Sequence, residues 1–167
     1  MKSICRSFAV CALFVAGLAH LSPVAAQVRV GSHLGLNFDG TDFMIGANSH
    51  FGINAGARQI VGNPSVDFYL FQDNFSVYRI NLDVVLPLAQ GSFAPFAGLG
   101  VAIIILKLDE AAPGIGTSDS DFGLNLRFGA FFGDREAAIR PFADGAITVG
   151  DDTSFAARGG ASFRISR

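Results

Sequence analysis

Apolar and polar residues alternate from Val28 onward, in segments of about ten residues that are separated by clusters of Gly, Asn, Asp and Ser. In the second segment, Phe43 and Ile45 fall on one face, whereas Met44 and Gly46 fall on the other. A period of two is typical of β-strands, and the 3.6-residue repeat of an amphipathic helix does not occur. Eight segments can be traced, at residues 29–38, 43–53, 59–70, 75–86, 93–106, 121–132, 140–149 and 155–165.

Eight strands joined by short turns predict an all-β fold, an eight-stranded antiparallel up-and-down β-barrel. The period alone does not say which face points outward, because a soluble lipocalin-like barrel would alternate in the same way with its apolar face inward. The polar face here is mostly Gly, Asn and Ser with single Arg and Asp residues, whereas a water-facing sheet would carry many Lys and Glu. Lys2 and Lys107 are the only lysines in the sequence. The polar face is therefore predicted to line a lumen, and the barrel to be transmembrane.

Aromatic residues of the apolar face collect at the strand ends in two bands. A strand that rises about 3.3 Å per residue and tilts by about 40° climbs roughly 2.5 Å per residue, which separates the bands by about 20–25 Å. This spacing is close to the apolar band of about 25 Å that transmembrane barrels present to lipid. The predicted girdles are Phe38, Phe43, Phe122 and Phe155 at one end, and Phe51, Phe93, Phe132 and Phe163 at the other.

The N-terminus has the pattern of a secretory signal. Lys2 and Arg6 precede an apolar run over residues 8–19, and Val24-Ala25-Ala26 forms a small-residue cleavage site. The run is shorter than the ~20 residues that a membrane-spanning helix needs. We expect residues 1–26 to be a cleaved signal peptide and residues 27–167 to be the barrel. Both cysteines, Cys5 and Cys11, lie in the signal, so the mature chain is expected to carry no thiol.

The chain resembles the small outer-membrane β-barrel domain family, which includes the OmpX, OmpW and OmpA barrels. The resemblance rests on the signal, the eight segments and several runs, among them Pro95-Phe96-Ala97-Gly98-Leu99-Gly100-Val101 and Gly159-Gly160-Ala161-Ser162-Phe163-Arg164-Ile165. The resemblance covers nearly all of residues 27–167 and implies a location in the bacterial outer membrane. It also implies outer-membrane lipid and the barrel-assembly machinery as partners. Members often end in an aromatic residue that the assembly machinery recognises. This chain ends in Arg167, so either Phe163 or Ile165 would have to provide the signal, or the recognition is degenerate.

Other function classes lack support in the sequence. The net charge is slightly negative and the arginines are scattered singly, which argues against nucleic-acid binding. Ser49 and His50 are adjacent on one strand and therefore point to opposite faces, so they do not form a hydrolase pair. No metal-ligand or cofactor motif occurs, and we expect neither an enzyme nor a cofactor. The acidic segment 107–121 is read as a solvated extracellular loop, since it lacks the ligand spacing of a calcium loop.

The charged residues of the polar face are predicted to form a network in the lumen. If the sixth and seventh strands turn at residues 134–137, Asp144 lies opposite Arg127, and if the last hairpin turns at residues 150–152, Asp144 also lies opposite Arg158. A turn at residues 72–74 would place Asp67 opposite Arg79. Likewise, the first hairpin would place His33 beside Asn48, as a hydrogen-bonded lumen histidine. The predicted network comprises Asp67, Arg79, Asp83, Arg127, Arg140, Asp144, Arg158 and Arg164.

An eight-stranded barrel is just wide enough to be filled by side chains. The first expectation for function is therefore a structural or surface-interaction protein of the outer membrane, with its lumen plugged by polar groups. The alternative is a narrow conduit for small hydrophobic solutes, because Ile104 and Leu106 on the lumen face would make an apolar entrance. A soluble periplasmic lipocalin-like binder is a weaker third hypothesis.

Overall fold

The computed structural model describes residues 28–55, 58–70, 75–108 and 118–165. The predicted signal peptide, residues 1–26, lies outside the described residues, as does most of the acidic loop. The described residues form eight strands, as the alternation predicts. They are β1 Arg29–Asn37, β2 Asp42–Ala55, β3 Arg58–Tyr69, β4 Phe75–Pro87, β5 Phe93–Leu108, β6 Ser118–Phe132, β7 Ile139–Val149 and β8 Thr153–Arg164.

The sheet closes on itself. Each strand pairs antiparallel with the next in the chain, and β1 pairs with β8 through a ladder from Arg29↔Arg164 to Asn37↔Ala156. This is the predicted up-and-down topology. Closure pairs every strand on both sides along its central part, which is the condition for a sheet to cross the hydrocarbon of a bilayer. Among the described residues, no helix is long and apolar enough to span a membrane.

The apolar face of the strands points outward. Leu34, Leu99 and Leu124 are 64%, 68% and 59% exposed, although each is a residue that a water-soluble protein would usually bury. Of the predicted girdle residues, seven are exposed, and Phe51 is half-buried because its ring lies against Gly62 of β3. A lipocalin-like barrel requires the opposite orientation, so that alternative is wrong. The fold is that of a transmembrane β-barrel.

The lumen is layered along the barrel axis. We call the end where β1 begins and β8 ends the termini end, and the other the opposite end. Near the termini end lies one buried apolar layer, and near the opposite end lies a second. Polar and charged side chains fill the space between them. The first layer comprises Val85, Ala94, Phe96, Phe131 and Phe142, and the second Met44, Tyr69 and Ala156.

Two predicted registers are wrong by two residues. In the first hairpin, Asn37 pairs with Asp42, and the turn over residues 38–41 ends at Thr41 with a left-handed φ of 59°. His33 therefore pairs with Gly46 rather than with Asn48. With the left-handed Thr41 as its last residue, the loop ends one position earlier than predicted, and Asp42 becomes the first residue of β2.

Between β6 and β7 the predicted turn forms, with the Ala137 N–H donating to the carbonyl of Asp134 at 3.0 Å. The connection is asymmetric, however, because Gly133 adopts a φ of 79° before the turn and Ala138 follows it. The pairing of β6 with β7 is therefore shifted by two residues from the predicted register. Arg127 pairs with Ala146, and Asp144 with Gly129.

Candidate functional site in the barrel lumen

The strand alternation places charged side chains from five strands at one level of the lumen. Each is almost wholly buried, with Arg127 only 1% exposed and Asp144 6%. Because one charge of this kind is costly to bury alone, the arrangement of the partners decides whether the lumen is stable. The central set is Asp67, Asp83, Arg127, Asp144 and Arg158.

Arg127 lies between two carboxylates. Its Nη1 atom is 2.6 Å from Oδ2 of Asp83, and its Nη2 atom is 2.6 Å from Oδ1 of Asp144. Asp144 is diagonal to Arg127 in the observed register, yet the guanidinium is long enough to reach it. The predicted contact is therefore made, although the predicted pairing is not.

Arg158 continues the chain of charges. It pairs directly with Asp144 in the β7–β8 ladder, as predicted, and its Nε donates to Oδ1 of Asp144 at 3.0 Å. Its Nη1 lies 3.3 Å from Oδ1 of Asp67. Asp67 also receives a hydrogen bond from Nε2 of His33 at 2.6 Å. Asp144 thus lies between two arginines, and each of those arginines holds a second carboxylate.

Two asparagines join the ends of this chain into a ring. Nδ2 of Asn125 donates to Oδ1 of Asp83 at 2.9 Å and to Oδ1 of Asn81 at 3.0 Å. Nδ2 of Asn81 in turn donates to Oδ2 of Asp67 at 2.8 Å. The result is a closed circuit across the lumen, which we call the lumen ring. Its members are Asp83, Arg127, Asp144, Arg158, Asp67, Asn81 and Asn125.

Glycines make room for the lumen ring and for His33, which is hydrogen-bonded to it. Gly100 pairs with Asp83, and a Cβ at that position would overlap Oδ1 of the carboxylate. Gly46 pairs with His33, and a Cβ there would overlap the imidazole. The abundance of Gly on the polar face is therefore explained by close cross-strand approach in a narrow lumen.

Arg79 does not join the ring. The predicted register is right, since Asp67 pairs with Arg79 across β3 and β4, but the expected ion pair is wrong. The Arg79 side chain turns toward the opposite end, where Nη2 donates to Oγ of Ser154 at 3.2 Å and the guanidinium lies 5.5 Å from the ring centre of Tyr69. Asp67 is already held by Arg158, His33 and Asn81, which leaves it little capacity for another donor.

Arg140 and Arg164 lie at the termini end and are also separate from the ring. The guanidinium of Arg140 stacks 4.8 Å from the ring centre of Phe131, and its Nε donates to the carbonyl of Gly133 at 3.3 Å. Arg164 forms an ion pair with Glu136 at 2.9 Å, in which the two side chains are 25% and 73% exposed. Their inclusion in one lumen network is therefore wrong.

Ile104 and Leu106, the predicted apolar entrance, are half-buried on the lumen face of β5 near the opposite end. Ile104 pairs with Arg79 on one side and with Asp121 on the other. Charged residues thus flank Ile104 at its own level. The lumen ring lies between these two residues and the termini end.

Sequence reasoning left His33, Asn81 and Asn125 out of the candidate network, although all three lie on the polar face. The sequence pattern does not give the level of these side chains along the barrel axis, because that level depends on the strand register. Ser49 is half-buried and His50 is buried, on opposite faces of β2, as expected from their adjacency. Within the described part of the chain, no three His, Cys, Asp or Glu side chains gather as metal ligands.

Three solved outer-membrane barrels have a similar fold. The N-terminal β-barrel domain of Pseudomonas aeruginosa OprF is 14% identical, with a TM-score of 0.61 over 83% of this chain and 98% of that one. Ail, the attachment invasion locus protein of Yersinia pestis, is 16% identical, with a TM-score of 0.57 over 84% of this chain and 97% of that one. Neisserial surface protein A is 10% identical, with a TM-score of 0.57 over 85% and 98%.

No protein-family model and no curated sequence matches the chain. At such low identities the likeness concerns the fold, and here it agrees with the sequence pattern. The three neighbours are nearly fully covered, so the described strands correspond to a whole barrel of this type.

Proposed function

We propose that this protein is a bacterial outer-membrane β-barrel with a structural or surface-interaction role, and that the lumen ring closes it to ions. The single observation that carries the proposal is the continuity of the ring. Its carboxylates, guanidiniums and amides are bonded to one another across the lumen and are at most 6% exposed. Ions would have to pass through paired charges whose separation leaves each partner desolvated.

The location is supported by the apolar outer surface, the two aromatic girdles and the resemblance to outer-membrane barrels. Outer-membrane lipid would then surround the barrel, and the barrel-assembly machinery would insert it. The proposal includes neither a catalytic activity nor a cofactor or nucleic-acid partner. We expect the refolded protein to require detergent and to migrate differently before and after heating, because a closed ladder resists unfolding in detergent.

A surface role is supported by the hairpin of β5 and β6. These two strands pair as far as Lys107↔Ser118, which carries β6 four residues beyond the girdle residue Phe122. At roughly 2.5 Å per residue, the hairpin projects about 10 Å from the girdle. Asp119, Ser120 and Asp121 are exposed on it. In barrels of this kind the longer connections face outward from the cell.

A labelling experiment tests both location and orientation. Because both cysteines lie within residues 1–26, Ser120→Cys would introduce a single thiol into the mature chain at the opposite end. Asp134→Cys, in an exposed turn at the termini end, is the matched control. We expect a membrane-impermeant maleimide to label the first on intact cells and the second only after permeabilisation. Labelling of both, or of neither, on intact cells would contradict the proposed orientation.

Conductance in planar bilayers tests closure. We expect the refolded protein to be electrically silent, and discrete channel openings would contradict a closed lumen.

The alternative function, a conduit for small hydrophobic solutes, is favoured only by Ile104 and Leu106. It predicts faster uptake of such a solute into liposomes, and a Leu106→Asn variant would reduce that uptake. Uptake at the rate of empty liposomes would remove the alternative.

A further inference from the structure

A cavity of about 490 Å³ opens at the termini end, on the other side of the lumen ring from the projecting hairpin. This volume lies within the range of small-molecule sites. The charged side chains among its described lining are all arginines, namely Arg29, Arg135 and Arg140. Apolar residues such as Phe131 and Ala94 form part of its wall. Positive charge next to an apolar wall is an arrangement that suits an organic anion.

The arginines converge from both sides of β8. Arg29 on β1 pairs with Arg164, and Arg140 on β7 pairs with Ser162, so the two cavity arginines lie two strands apart, about 10 Å. Arg29 donates through Nη2 to the carbonyl oxygens of Ala137 and Arg135. Its guanidinium is thus held in place by uncharged acceptors.

These arginines differ from their neighbour Arg164. Arg164 has a carboxylate partner in Glu136, whereas Arg29, Arg135 and Arg140 take part in no ion pair among the residues that the structure describes. A guanidinium oriented by carbonyl groups or by an aromatic face keeps its charge and its remaining N–H groups for another acceptor. The described lining of the cavity therefore carries three arginines and no carboxylate, although Glu136 acts electrostatically on Arg29 from outside the lining.

Two buried nitrogen atoms in the lining lack an acceptor. Arg29 is 5% exposed, and its Nη1 has no hydrogen-bond partner. His50 is 4% exposed and accepts from Nδ2 of Asn48 at Nε2, which leaves Nδ1 as the N–H of the ring, also without a partner. Buried donors are usually satisfied in native proteins, and because these two belong to residues that line the cavity, an anion bound there could accept from them.

We propose that this cavity, which we call the arginine vestibule, binds a small organic anion. Its phosphate or carboxylate group would accept from Arg29 and Arg140, and its apolar part would lie along Phe131 and Ala94. Arginine is suited to this role because its planar fork matches both anionic groups. The site goes beyond the proposed closure of the lumen and does not depend on it, because the vestibule lies to one side of the ring.

Phenyl phosphate is a suitable probe, with one anionic group and one ring. The refolded full barrel in a non-ionic, phosphate-free detergent would be titrated by calorimetry at constant ionic strength. We expect saturable binding with one site per chain. Arg140→Gln should weaken it by about tenfold or more, because a charge-assisted hydrogen bond is lost. Arg29→Gln should have a similar effect, and Arg29→Lys, which keeps the charge but loses the fork, an intermediate one.

The matched control is Arg164→Gln, which removes the same charge from the same mouth without touching the cavity. It should change the affinity by less than about threefold, since an exposed charge acts mainly through screened long-range attraction. Heat-modifiable migration of each variant shows whether it has folded, and Arg140→Gln is the safest because Arg140 is only half-buried. Absence of saturable binding, or equal weakening by Arg164→Gln, would overturn the proposal.

A second arm distinguishes the source of the anion. Phosphatidylglycerol would be added to the detergent micelles before the titration with phenyl phosphate. Competition that is lost in Arg140→Gln supports the site and assigns it to a lipid headgroup. Unchanged affinity for phenyl phosphate supports the site and assigns it to a soluble anion. Because conductance is measured separately, failure of this proposal and failure of lumen closure are distinguishable.

Discussion

The middle of the barrel and its termini end use the same residue type in opposite ways. Arg127 and Arg158 in the lumen ring each contact two carboxylates and are 1% and 5% exposed. Arg29 and Arg140 in the arginine vestibule contact backbone carbonyls or an aromatic face instead. In the middle, the charges neutralise one another inside the protein. At the mouth, neither Arg29 nor Arg140 forms an ion pair with a described residue, although Glu136 acts electrostatically on Arg29.

This difference shows that burial alone does not define the role of an inward arginine. The ring would lose its stability if one member were removed, because its charges have no access to water. The vestibule opens at the mouth of the barrel, and Arg140 in it is half-buried, so this arginine is less important for folding and remains accessible to a ligand. Changes at mid-depth should therefore cost more stability than changes nearer the barrel ends.

Removal of Arg127 should have the largest effect. Arg127 is the only cation in contact with Asp83 among the described residues, so Arg127→Met leaves that buried carboxylate without a counter-charge. We expect a loss of about 3–5 kcal/mol in the free energy of unfolding. Denaturant titration of the refolded protein in lipid vesicles measures it.

Asp144→Ala is the comparison within the ring. It should cost less than Arg127→Met, because Arg127 keeps Asp83 and Arg158 keeps Asp67. Combining Arg127→Met with Asp83→Leu should recover part of the loss, since an apolar replacement of a buried pair is often tolerated. If Arg127→Met were as stable as the parent, the ring would not be a coupled network.

A charge introduced on the outer face should also lower the free energy of unfolding more at mid-depth than near a girdle. Leu82 points outward and is 41% exposed, near the middle of β4. Leu82→Arg should destabilise the barrel by about 2–4 kcal/mol, whereas Leu36→Arg, beside the girdle residue Phe43, should cost about 0–1 kcal/mol. The same vesicle titration measures both variants. Equal costs at the two depths would contradict the assigned membrane band.

The fold was accessible from the sequence because alternation, turn residues and girdle spacing are local properties. Polar-face glycines and the near absence of lysine also identified the inside of the barrel. The network was only partly accessible, because each predicted pair depended on a register that was counted from an assumed turn. Two left-handed residues, Thr41 and Gly133, shifted two hairpins by two positions. Asp67 and Arg79 show a second reason why the network was only partly accessible, because their backbone pairing was predicted correctly but their side chains do not form an ion pair.

A Cβ in the crowded part of the lumen should have a smaller effect than loss of a ring charge. Gly46 faces His33, and Gly46→Ala would push against the imidazole and the carbonyl of Val66. Overpacking of this kind costs about 1–3 kcal/mol. Gly159→Ala is the control, because a Cβ there meets nothing within 4 Å. Similar stability of the two variants would mean that His33 moves freely, and that its bond to Asp67 is not tightly constrained.

The smallest effect is expected for the ion pair at the termini end. Arg164 and Glu136 are 2.9 Å apart, but their side chains are 25% and 73% exposed, so water solvates both charges when the pair is broken. Arg164→Gln and Glu136→Gln should each change the free energy of unfolding by less than about 1 kcal/mol, and the coupling energy from the double mutant should lie in the same range. Raising the salt concentration should reduce that coupling further, whereas the loss caused by Arg127→Met should hardly change with salt, because buried pairs are poorly screened. A salt-independent coupling above about 2 kcal/mol would show that the mouth is as desolvated as the ring, and the contrast between paired and open arginines would then fail.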